Sequence, residues 1–322
     1  MAQRLSFSQL LPWRSSVCGS IPCIPIIVDL VGKISPDILE AAFIDLIGRH
    51  DSLRSIVTTR FGNTSAFVSD NLVPVSLSVA SGIGGLGSFV SELIGPGTPP
   101  VRVRLFRLRE ASRLVCVVQS LAMDMWSIRP FLHDLHAAYS GRATGRDAVW
   151  SSTPSRYSDF SAWQCSALGT ENDPRSMASS QWSFWSKTFW SFLPPRALPF
   201  AASSEIKAGA GQHDRISFRL NSRLHHNLLD FARVTRTSVF MVLHAGLLVL
   251  LYKLGAGPNI PVCTTISGRR RNPDFYTIGC CANVVTLCVK VSDRLTFYEL
   301  LARVKLASVS AAVHGDFPLQ LF

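Results

Sequence analysis

Apolar positions recur every three to four residues over 36–49, PDILEAAFIDLIGR, where Leu39, Ala42, Phe43, Leu46 and Ile47 share one stripe. Pro36 suits a first helical turn and Ser35 can cap it, so this segment is predicted as an amphipathic helix. Residues 101–107 alternate instead, with Val101, Val103 and Leu105 on one face and Arg102 and Arg104 on the other, the pattern of a half-buried strand. Residues 114–118, LVCVV, are continuously apolar, which suits a strand covered on both faces. A second helical stripe follows at 127–139, through Ile128, Phe131, Leu132, Leu135 and Tyr139.

The texture then changes. Residues 140–156 are rich in Gly, Ser, Arg and Thr, and a polar loop, GTENDPRSMAS, lies between two segments carrying Trp163, Trp182, Trp185 and Trp190. A lobe boundary is expected there, giving 1–170 and 171–322. The second half repeats the grammar of the first. A strand is predicted at 214–220, helices at 223–234 and 238–254, strands at 260–266 and 283–291 around the turn SGRRRNPD, and a helix at 295–312. The helix at 238–254 is apolar on nearly all sides and is expected to be buried. Strands and helices mix throughout, so the fold class is α/β with mixed α+β sheets in two lobes. The chain ends in the apolar stretch HGDFPLQLF, which reads as a second lobe left incomplete.

Composition narrows the function classes. A hydrophobic content of 47% is ample for a packed core. The net charge of +11 comes from 26 Arg and 6 Lys that are scattered, the only run being Arg269, Arg270 and Arg271, so a nucleic-acid partner is not expected. The eight cysteines include no C-x-x-C pair and mostly lie in apolar runs, which points to packed thiols in a reducing compartment. The longest apolar run, 239–252, is short for a bilayer and is broken by His244. A cytoplasmic chain with no membrane partner is expected. His133 and His136 stand one turn apart but lack a third ligand, so no metal site is expected; a solvent-facing pair is the plainer reading. His50 reads as structural, and His244 as a satisfied core histidine.

Several motifs in order carry a resemblance. SFSQLLPW at 6–13, RHDSLRS at 49–55, YSDFSAWQ at 157–164, IGCCANVVTL at 278–287 and HGDFPLQLF at 314–322 resemble the motifs of condensation domains of nonribosomal peptide synthetases, relatives of chloramphenicol acetyltransferase. The resemblance implies two acetyltransferase-like lobes forming a V-shaped pseudo-dimer. It also implies amide formation between acyl or aminoacyl groups carried as thioesters on the phosphopantetheine arms of carrier proteins, beside neighbouring synthetase domains and with no cofactor bound.

The family's H-H-x-x-x-D-G motif falls on residues 119–125, which read QSLAMDM. Gln119, Ser120 and Met125 replace three of its four defining residues, and Ser120 stands where the family has its catalytic histidine. A histidine titrates near neutrality and can share a proton with the attacking amine, whereas a serine hydroxyl is no base at pH 7. Met125 replaces a glycine and either protrudes into the substrate path or turns into the core. Asp124 survives, and the family pairs this carboxylate with the arginine of a G-R motif, here Gly268 and Arg269. Trp126 and Asn283 are further cleft candidates. The chain is therefore expected to be inactive or weakly active. The alternatives are a non-catalytic recruitment domain, a decaying synthetase fragment, and a stand-alone acyltransferase of the same superfamily, for which the sequence offers no base.

Overall fold

The computed structural model describes residues 2–3, 5–16, 20–60, 63–69, 77–92, 94–151, 153, 155–170, 172–192 and 217–318. They form two compact units. Unit 1 comprises 1–178, 267–283 and 316–322, and unit 2 comprises 179–266 and 284–315. This division is discontinuous in sequence, unlike the contiguous lobes 1–170 and 171–322: residues 267–283 and 316–322 return to the N-terminal unit.

Unit 1 contains strands β1 (Ala2–Gln3), β2 (Cys23–Val31), β3 (Ser55–Arg60), β4 (Asn63–Val68), β5 (Leu77–Ser81), β6 (Val101–Arg107) and β7 (Ala111–Gln119). Its helices are α1 (Phe7–Arg14), α2 (Pro36–Arg49), α3 (Leu86–Ser91), α4 (Ile128–Ala143) and α5 (Tyr157–Leu168). Four strands form a sheet in the order β2-β7-β6-β5, and β1, β4 and β3 form a second. In the larger sheet β5 and β6 run parallel and the other pairs antiparallel, with Cys116 of β7 opposite Ile26 on one side and Val103 on the other.

The LVCVV run is covered on both faces. Leu114, Cys116 and Val118 share a core with the α2 stripe and with Phe131, Leu135 and Ala138 of α4. Val115 and Val117 turn to the opposite face, against Phe89 of α3 and Phe106. The polar face of β6 is covered too: the guanidinium carbons of Arg102 and Arg104 lie 5.0 and 4.4 Å from the centroid of the Phe89 ring. A cation over an aromatic face lets a charged row tolerate such cover. Ser35 caps α2 with Pro36 in its first turn, as the sequence indicates.

Unit 2 contains most of α6 (Met177–Trp190), with α7 (Ser222–Val234), α8 (Val239–Lys253), β8 (Asn259–Ile266), all but the first residue of β9 (Asn283–Lys290), and α9 (Phe297–Val313); β8 and β9 pair. Thr296 and Glu299 close a capping box on α9. Two expectations change here. The helix α8 is not buried all round: Val242, Ala245 and Leu248 face the core, while Phe240, Leu243, Leu247 and Leu250 are exposed. Among the described residues, β8, β9, α7 and α9 cover one stripe of that cylinder. The strand predicted at 214–220 falls partly outside the described residues, and 217–220 form no strand, with Phe218 exposed.

Candidate functional site

The end of β7 delivers Gln119 and Ser120 to a tight turn. Gln119 accepts at its carbonyl from the N–H groups of Ala122 (2.9 Å) and Met123 (3.3 Å), and its side-chain amide donates to the Gly95 carbonyl (3.1 Å). The Ser120 N–H donates to Pro22 O (2.8 Å), and Gln9 Nε2 of α1 holds the Leu121 carbonyl (2.8 Å). Leu121, Ala122 and Met123 are buried. The turn is thus fixed by its own backbone, by the edge strand's approach and by the first motif.

Asp124 follows, and its carboxylate accepts six donors. Oδ1 takes Ser127 N (3.0 Å), Ser127 Oγ (3.0 Å) and Arg269 Nη2 (3.0 Å). Oδ2 takes Arg269 Nη1 (2.8 Å), Cys281 N (3.0 Å) and Ala282 N (2.9 Å). Both partners of the ion pair are buried, with side-chain exposures of 2% for Arg269 and 7% for Asp124. A carboxylate has about four lone-pair sites, and here six donors occupy them. Its work is to tie the turn to residues 267–283.

Gly268 permits that tie. Its φ is +65°, and a Cβ there would lie 1.9 Å from the Cys281 carbonyl oxygen, so only glycine lets the two backbones approach. Gly279 is similar in effect, since a Cβ would run into the Tyr157 ring. Tyr157 Oη donates to Cys280 O (2.8 Å) and pairs with Ser6 Oγ (2.5 Å). Ser8 Oγ donates to Cys281 O (3.1 Å) and accepts from Gln164 Nε2 (3.1 Å), while Ser52 Oγ donates to Ile278 O (2.7 Å). Asp51 caps α5 through Tyr157 N (2.9 Å) and Ser158 N (3.0 Å). The sequence motifs at 6–13, 49–55, 157–164 and 278–287 therefore converge on one hydrogen-bonded frame around the turn.

The other candidates are placed as follows. Met125 and Trp126 are exposed, at 64% and 41%; of the two orientations expected for Met125, the buried one is not adopted. Asn283 is buried, its amide donating to Phe317 O (2.9 Å). Ser120 Oγ is shielded from solvent and has no hydrogen-bond partner among the described residues. The buried thiols of Cys280 and Cys281 are pushed up by burial, so neither is a thiolate nucleophile at neutral pH. His133 and His136 are exposed on α4. His50 is buried and bonded to Asp134 Oδ2 (2.9 Å). His244 is buried, but its ring nitrogens find no partner among the described residues, so it is not the satisfied core histidine expected; burial pushes its pKa down and keeps it neutral.

Ser127 was not singled out from sequence. It donates to Asp124 Oδ1 while its Oγ accepts from Gly279 N (3.1 Å) and Arg269 Nη2 (2.9 Å). The D-x-x-S spacing of a capping box was the available signal.

The condensation-domain family model matches residues 95–322. This chain belongs to the condensation-domain family. It is 32% identical, over 98% of its length, to a dimodular nonribosomal peptide synthase of Bacillus subtilis (strain 168), and spans 14% of that protein. Among solved structures it is similar to the X-domain from teicoplanin biosynthesis (TM-score 0.84, 25% identity, 98% of this chain and 72% of that one). A complex of the X-domain with OxyB matches nearly as well (TM-score 0.83, 25% identity, 98% and 71%). The first condensation domain of the calcium-dependent antibiotic synthetase shares the fold (TM-score 0.81, 16% identity, 99% and 77%). The chain is thus a condensation domain, and its mixed α/β fold is shared with solved condensation domains. Among its described residues no single helix is long and apolar enough to cross a membrane.

Proposed function

We propose that this condensation domain keeps the family's architecture while its amide-forming step is impaired, and that its remaining role is to dock proteins of the assembly line. One observation carries the reading: at the motif turn the frame around Asp124 and Arg269 is complete, while position 120 presents a hydroxyl instead of an imidazole. In the family reaction an amine nitrogen attacks a thioester carbon. The C–N bond forms, the C–S bond breaks, the amine loses a proton and the thiol leaves protonated. The amine must be aimed while unprotonated. Ser120 can offer a hydrogen bond, but it cannot take the proton at pH 7. Asp124 is held in the frame by six donors and is not aimed at a substrate in this reading.

Carrier proteins bearing phosphopantetheine-linked substrates and the adjacent synthetase domains are the proposed partners, in a cytoplasmic setting. The likeness to an X-domain solved with OxyB favours docking of a separate enzyme over a stand-alone acyltransferase, for which the motif turn 119–125 carries no histidine.

The test is a condensation assay with matched donor and acceptor aminoacyl carrier proteins. The chain is expected to form little product, and the triple substitution Gln119→His, Ser120→His, Met125→Gly to gain about 10²–10⁴-fold, the contribution of one positioned acid–base group. Saturable condensation by the unmodified chain, unchanged in Ser120→Ala, would overturn the reading.

A further inference from the structure

Unit 1 holds a second concave site apart from the motif turn. It encloses about 510 Å³ and is walled by Arg49, Arg129, His133, Asp134, Phe275 and Tyr276. Its floor is closed chemically. Asp134 Oδ2 receives Arg49 Nε (2.9 Å) and His50 Nε2 (2.9 Å), and Oδ1 receives His133 Nδ1 (3.1 Å). Arg49 is further held over the Trp150 ring, 4.3 Å from its centroid.

Two guanidinium groups against one carboxylate leave the pocket positive even with both histidines neutral. Arg129, exposed on the first turn of α4, has no hydrogen-bond or ion-pair partner among the described residues. The same cavity is also lined by two exposed aromatic residues, Phe275 at 56% and Tyr276 at 54%. It stands on an anchored turn: the buried Asp274 accepts Arg271 Nη2 (2.7 Å) and Nε (3.0 Å), and that guanidinium lies 4.5 Å from the Trp163 ring centroid.

A single exposed aromatic on a protein surface is ordinary. Two on an anchored turn, lining a cavity of ligand size together with an arginine that has no partner among the described residues, meet the description of a small-molecule site. We propose that this pocket binds a small aromatic oxyanion, an aryl phosphate or aryl carboxylate. The ring lies on Phe275 and Tyr276, and the oxyanion is held by the Arg129 guanidinium. A guanidinium matches the geometry of either head group, and an aromatic wall rewards a flat body. The site is independent of whether position 120 supports catalysis.

Calorimetric titration of the whole chain with phenyl phosphate, benzoate, phenol and inorganic phosphate tests this. Phenyl phosphate or benzoate should bind, the tighter naming the preferred head group, and phenol and inorganic phosphate should each bind at least about 10-fold more weakly. Losing one charge-assisted contact in Arg129→Gln should weaken binding about 10- to 100-fold. Tyr276→Ala should also weaken it. Arg146→Gln, the same charge change at an exposed arginine outside the pocket, should leave it unchanged. Equal weakening in Arg129→Gln and Arg146→Gln, or no binding of either aromatic anion, would overturn the proposal.

Discussion

At Asp124 one carboxylate collects donors from three places in the sequence: its own helix cap, Arg269 at a separation of 145 residues, and the backbone of Cys281 and Ala282 at 157 and 158. Removing it strands a buried guanidinium, the buried N–H of Cys281 and the part-buried N–H of Ala282. Loss of one member of such a pair costs about 3–5 kcal/mol, because the charge left behind is unpaired and out of water. Asp124→Ala should therefore lower the denaturant midpoint clearly, and an unchanged midpoint would refute the framing role. The pairing of Asp124 with Arg269 was legible through the family's G-R motif. The contribution of Ser127 was not, because a serine that caps a short turn looks the same whether or not it also meets a distant backbone. Nor could Met125 be placed from sequence, since methionine fits core and surface alike.

Among the elements, α2 and α4 were the most legible, because each carries a single stripe of apolar residues that a sheet face can bury. Strand β2 carries no such signature. Pro25 and Asp29 interrupt it and its apolar residues do not alternate, yet it pairs with β7 along its whole length as an edge strand, where a missing N–H is tolerated. Helix α8 misled in the other direction, since apolarity on every side says that cover is sought and not that it is found. The contact between α2 and α4 is also electrostatic. Asp134 of α4 is reached by Arg49 and His50 at the end of α2. Burial alone would raise its carboxyl; the hydrogen bonds from His50, His133 and Arg49 outweigh this and hold it well below the usual carboxylate range. A carboxyl depressed on folding stabilises the folded state fully above its unfolded value of about 3.9, and that contribution fades as pH falls toward the folded value. Asp134→Asn should therefore melt below the unmodified chain at pH 7, with the gap narrowing on acidification below about pH 4. A gap that stays constant down to about pH 2 would mean that the ion pairs are not what the substitution removes.

For the whole molecule, the mixed α/β class and the family were legible because ordered motifs survive over most of the chain. The extent of the compact units was not. A lobe boundary placed near 170 follows the polar loop, but the frame around the motif turn closes only when residues 267–283 return to it. Without them Asp124 keeps only Ser127, Tyr157 Oη loses Cys280 O, Ser8 loses Cys281 O and Ser52 loses Ile278 O. Each hydrogen bond lost with the segment removes about 0.5–1.5 kcal/mol, and about 1.5–3 kcal/mol where a charged group takes part, so together they rival the whole stability of a domain, about 5–15 kcal/mol. A fragment of residues 1–178 should therefore fail to unfold cooperatively, although it holds the complete four-stranded sheet and the α2 and α4 core. The full chain should show a sharp transition under the same conditions. Near-ultraviolet circular dichroism during a urea titration distinguishes the two. A native-like, cooperative transition in the fragment would show that the returning segment decorates a unit already stable on its own, and the frame would then be a fixture for positioning the turn and not a condition for folding.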